Sequence, residues 1–153
     1  IQALDLLGRK VLGSGGKLLM GFTEQMGAYI DAHGDEAYKD FIEPLKTYKD
    51  EWLTMSLEVG GKAMENPDEA GAAAVDYLMY SGYVVLAYFW AQMAVVASDK
   101  IKAGEGDTAF YEAKLHTARF YFDRLLPRTA MHKAALLSGA DNLMAMPEEL
   151  FAF

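Results

Sequence analysis

Cysteine is absent from this 153-residue chain. That excludes disulfides, thiolate metal sites and a cysteine nucleophile, and it is compatible with a reducing compartment. Basic residues are in the minority, 14 Lys and Arg against 22 Asp and Glu, for a formal net charge of -8. A surface of that sign does not attract polyphosphates or anionic lipid, so nucleic acid is not an expected partner. Sustained period-2 alternation is missing, and with it the signal for strands. The opening IQALDLLGRKVLG lacks a basic region leading into a long apolar run, so no signal peptide is read and a cytoplasmic chain is expected. Ile1 is not a start residue either, so the chain reads as a fragment or a processed product.

Ala, Leu, Met, Lys and Glu dominate what remains, and these residues favour helix. With 52% hydrophobic residues and 24% charged, the chain fits one compact domain. The expected fold is all-α: an antiparallel four-helix bundle with a short N-terminal helix and an apolar C-terminal tail. The short helix covers Gln2 to Val11 and stops at Gly13-Ser14-Gly15-Gly16, where three glycines in four residues make a hinge. The first long helix runs from Lys17 to about His33, with Leu18, Leu19, Phe22, Met26, Tyr29 and Ile30 on one stripe and Gly34 as its stop. The second begins near Asp35 or just after Pro44. Its seam, Phe41, Leu45, Tyr48, Trp52, Met55 and Val59, has heptad-like spacing. Asn66-Pro67-Asp68-Glu69 is a start signal: a capping Asn, a first-turn proline and two acids at the positive helix end. The third helix then extends to Lys100, Lys102 and Gly104, roughly 36 residues or about 55 Å. Asp107 caps the fourth, whose seam passes through Tyr111, Leu115, Ala118, Phe122, Leu125, Thr129, His132 and Leu136, with a bend expected at Pro127. It should end near Gly139, before an apolar tail from Leu143 to Phe153.

Within the third helix, Tyr77 to Ser98 carries no charge. Its length matches a bilayer crossing, because roughly 20 apolar residues span one. The expectation here is burial. The seams on the neighbouring helices need an apolar partner, and four tyrosines, Ser81, Gly82 and Gln92 give the run more polar edges than a lipid-facing helix usually has. The helix should therefore be the buried post of the bundle, with a membrane span the lesser reading.

No constellation carries chemistry. Di-iron bundles use Glu-x-x-His pairs, whereas Glu112 precedes His116 by four residues, and His33 and His132 stand alone. Gly13-Ser14-Gly15-Gly16-Lys17 lacks the spacing of a phosphate loop. Nine methionines and the seam aromatics could line a ligand pocket, but adaptable core filler is the ordinary role of methionine. Arg119, Arg124 and Arg128 beside Asp123 and Glu112 read as a solvated, ion-paired face. No catalytic, cofactor-binding or metal-binding residue is assigned.

Two stretches resemble a known family. Ile1-Gln2-Ala3-Leu4-Asp5-Leu6-Leu7-Gly8-Arg9-Lys10 resembles the segment that follows a Tyr-Glu-Gly-Thr motif in acyl-CoA dehydrogenases. Ala103-Gly104-Glu105-Gly106-Asp107, with Phe110-Tyr111, Ala113-Lys114-Leu115, Thr117-Ala118-Arg119-Phe120-Tyr121, Leu125-Leu126-Pro127 and Met144-Ala145-Met146-Pro147-Glu148-Glu149, resembles the C-terminal extension of a bacterial subgroup of that family. Its members include enzymes acting on methylmercaptopropionyl-CoA. The resemblance implies that residues 1–12 end the helix of a preceding catalytic domain, 13–16 form the hinge, and 17–153 form a C-terminal helical-bundle domain. It implies FAD and an acyl-CoA substrate for the parent enzyme, an acceptor flavoprotein, the chain's own upstream catalytic domain as partner, and a homodimer. This piece by itself is expected to hold no cofactor and to be inactive, with a structural or dimer-supporting role. The alternatives are a bundle that binds an acyl or other apolar ligand and a membrane-associating module.

Overall fold

Helices built on these seams account for nearly the whole of a computed structural model that describes residues 1–152. Phe153, the last residue of the expected domain and tail, lies outside it. A short α1 (Gln2–Leu4) runs on as a π-helical segment, Asp5–Leu12, in which the Gly13 amide donates to the Gly8 carbonyl five residues back at 2.8 Å. Then come α2 (Lys17–Ala32), a 3₁₀ turn (Glu36–Tyr38), α3 (Lys39–Glu65) and α4 (Asp68–Ala103). The last column is α5 (Thr108–Phe120), a π segment (Tyr121–Leu125), a 3₁₀ turn through Pro127 (Leu126–Arg128) and α6 (Thr129–Leu137). Two short pieces, α7 (Asp141–Met144) and a 3₁₀ turn (Glu148–Phe151), finish the described chain. No strand occurs among the described residues, and the all-α class stands.

The local signals act where the sequence places them. The Asn66 Oδ1 accepts the Asp68 amide at 3.1 Å at the start of α4, and Gly104, at φ 65°, closes it in the left-handed conformation that glycine adopts without strain. Asp107 Oδ1 accepts the amides of Ala109 and Phe110. At Gly13–Gly16, Gly15 and Gly16 both have positive φ and the Gly16 amide donates to the Val11 carbonyl, which makes a turn between the N-terminal segment and α2. The bend expected at Pro127 is the 3₁₀ turn.

Packing centres on α4, which touches α1, α3, α5 and α6. Contacts between α3 and α4 pair late residues with early ones: Ser56 with Tyr77, Tyr48 with Tyr80, and Tyr38, just before α3, with Asp99. The two helices are therefore antiparallel. The last column runs antiparallel to α4 in the same way, through Trp90 with Tyr121, Asp76 with His132 and Glu69 with Ala140. Phe22 of α2 meets both Trp52 and Tyr88 edge-on, which ties α2 to α3 and α4. Leu7 and Val11 are buried in the same core, so the N-terminal segment packs with the other helices.

Three expectations need correction. Leu18 is exposed, because its neighbour Leu19 takes the inward position on α2. Arg119, Arg124 and Arg128 are exposed but form none of the ion pairs with Asp123 or Glu112. The largest correction concerns α4. It is long and apolar enough to cross a membrane, and its inner face is core: Tyr77, Tyr80, Val84, Ala87 and Ala91 are completely buried. Its opposite face is open to solvent, with Val75, Met79, Leu86, Phe89, Met93 and Val96 all exposed.

Candidate functional site

A groove between α3 and α6 has a volume of about 570 Å³ and is lined among others by Pro44, Tyr48, Glu51, Thr129 and Lys133. Helical spacing puts Tyr48 and Glu51 on the same face of α3, and the antiparallel packing brings Tyr80 of α4 beneath them. The Tyr80 hydroxyl donates to Glu51 Oε2 at 3.0 Å, and Lys133 Nζ donates to Glu51 Oε1 at 2.9 Å. Burial, reinforced by the Glu51 carboxylate, raises the Tyr80 hydroxyl far above its ordinary range, so it stays protonated. Glu51 thus has one neutral and one cationic donor.

A second polar cluster lies behind it. His132 of α6 is buried, and its Nδ1 sits 2.8 Å from Asp76 Oδ1 of α4, with the ring of Tyr83 alongside. The Tyr121 hydroxyl donates to the Tyr83 carbonyl at 2.8 Å, and burial holds it protonated. In the core between α3 and α4, the hydroxyls of Ser56 and Tyr77 are hydrogen-bonded at 2.7 Å, and the Ser56 hydroxyl is also 2.7 Å from the Trp52 carbonyl. These side chains fasten helices to one another. Burial raises the hydroxyls of Tyr77, Tyr80 and Tyr121 above their ordinary range, and the carboxylates of Glu51 and Asp76 already have partners.

Of the histidines singled out in the sequence, His132 is brought to Asp76, His33 stacks on Tyr29 with its Nδ1 2.8 Å from the Tyr29 carbonyl, and His116 is exposed. Among the described residues no three His, Asp or Glu side chains gather as metal ligands. The methionines do not line an interior: Met26 and Met55 are buried, while the other seven are exposed. The groove does not fit FAD. Its single cationic residue is bound to Glu51, so a pyrophosphate placed there would face a carboxylate.

The class of protein that the fold defines is an all-α domain with interhelix tyrosine, histidine and carboxylate contacts. The Acetyl-CoA dehydrogenase C-terminal like family matches residues 22–147, and the chain belongs to it. It is also 27% identical over 146 residues to the 3-methylmercaptopropionyl-CoA dehydrogenase of Ruegeria pomeroyi (strain ATCC 700808 / DSM 15171 / DSS-3). The match covers 94% of this chain and 25% of that relative, so the chain spans about a quarter of the relative's length.

Proposed function

We propose that this chain is a non-catalytic C-terminal domain of an acyl-CoA dehydrogenase and that its role is architectural. The observation that carries this reading is the commitment of the groove: Glu51, Lys133 and Tyr80 satisfy each other, while the Asp76–His132 and Ser56–Tyr77 pairs join helices behind it. Family membership and the match to a quarter of a dehydrogenase agree with it. The parent enzyme would be FAD-dependent and cytoplasmic, would act as a dimer on an acyl-CoA, such as one related to 3-methylmercaptopropionyl-CoA, and would pass electrons to an acceptor flavoprotein. When bound in that parent, the flavin supplies the hydride acceptor for α,β-dehydrogenation. Residues 1–12 would join this domain to the catalytic part, and 13–16 would turn the chain between them. Calorimetric titration of the chain with FAD and with short- and long-chain acyl-CoAs tests the reading. No saturable heat is expected, whereas stoichiometric binding of either would contradict it.

A further inference from the structure

Between residues 75 and 96 every exposed residue of α4 is apolar or glycine. Val75, Met79, Leu86, Phe89, Met93 and Val96 are each between 38% and 64% exposed. With the exposed Gly82 they step along the helix by alternating four and three residues, the spacing of a coiled-coil seam. Six side chains about half exposed leave on the order of 500 Å² of contiguous apolar surface, more than a typical solvent-facing helix presents. Continued at the same spacing, the stripe meets Asp68 at one end and Lys100 at the other.

We propose that this face pairs with the same face of a second copy, with the two α4 helices antiparallel. The inference deepens the architectural reading of the domain. The seam is self-complementary in that direction alone. About a two-fold axis near Val84, Gly82 faces Leu86 of the second copy, Met79 faces Phe89, Val75 faces Met93 and Asp68 faces Lys100. Gly82 and Val75 are then each set against a larger side chain, Met79 packs on the ring of Phe89, and an acid meets a base at the ends. Every layer also joins the two alternating kinds of seam position, as antiparallel coiled coils require. A parallel pairing would oppose Gly82 to Gly82, leaving a void, and would put Asp68 against Asp68 and Lys100 against Lys100, which repel. Asp68 has no ion pair within its own chain among the described residues, whereas Lys100 already holds Glu105 and can accept a second carboxylate. Two such faces bury roughly 1,000 Å² in total, at the lower edge of specific interfaces, so a reversible dimer is expected.

Because the chain has no cysteine, introduced thiols report the geometry directly. Met79→Cys and Phe89→Cys proteins, mixed in equal amounts under mild oxidation, should give mainly the mixed disulfide, with little of either like-with-like product. Sedimentation velocity of the native chain should show a dimer. Asp68→Lys or Lys100→Asp alone should each weaken it by roughly tenfold, and the double exchange should restore most of the loss. All four side chains lie on the surface or at its edge, and each variant should retain the helical circular-dichroism spectrum of the native chain. A native chain that stays monomeric at about 100 µM, like-with-like disulfides in excess, or a monomer that instead sediments with neutral lipid vesicles would overturn the pairing. A flavin-free monomer would overturn only the pairing and leave the architectural role of the domain in place.

Discussion

At the scale of single residues, the tyrosines decide how the domain responds to pH. Burial raises Tyr29 to about 12, with Tyr88 and Asp99 adding to the shift. Burial likewise raises Tyr77, Tyr80 and Tyr121, and the hydrogen bond to Asp99 raises Tyr38. An unfolded tyrosine ionises near pH 10. Below that, every hydroxyl is protonated in both states and the full stabilisation is present. Above it the unfolded chain loses protons first, so stability falls as pH rises from about 10 through 12. Urea denaturation at a series of pH values should show a flat midpoint up to about pH 9.5 and a steep decline beyond it, shallower in Tyr29→Phe. A midpoint independent of pH up to 12 would contradict the assignment. Residue-scale partners were also the least legible in the sequence. His132 reads as isolated because its partner, Asp76, is 56 positions away on another helix, and no local pattern signals such a pair. Tyr77 could be read as needing a partner, but not which one.

At the scale of elements, starts, stops and seams were legible because their causes are local. Asn66 and Asp107 cap the helices that follow them, Gly104 ends α4, and the α3 seam is buried along nearly its whole length. Two things were not. Tyr121, outside the expected seam, is buried beside Phe122 in a π segment, which adds a residue to the turn. The N-terminal segment looks like a separate piece because glycines follow it, yet Leu7 is fully buried in the shared core. Leu7→Ala is therefore expected to cost about 2–5 kcal/mol of the stability of this chain, read from the urea midpoint. A change within about 0.5 kcal/mol would mean that residues 1–12 are dispensable to the core.

At the scale of the whole molecule, the charge-free helix has two jobs on its two sides. Periodicity could not separate them, because a helix apolar all round gives no direction to bury. The direction came from the neighbours: α1, α3, α5 and α6 pack against α4 and leave the heptad-spaced stripe outside. The buried side carries the core, and the open side presents the apolar stripe that we propose pairs with a second copy. The most direct measurement is the flavin content of the purified chain, taken with its rate of acyl-CoA-dependent reduction of an electron acceptor in the same sample. A domain of architecture alone gives a colourless protein with no rate above background, whereas a flavin retained at one per chain with measurable turnover would contradict it.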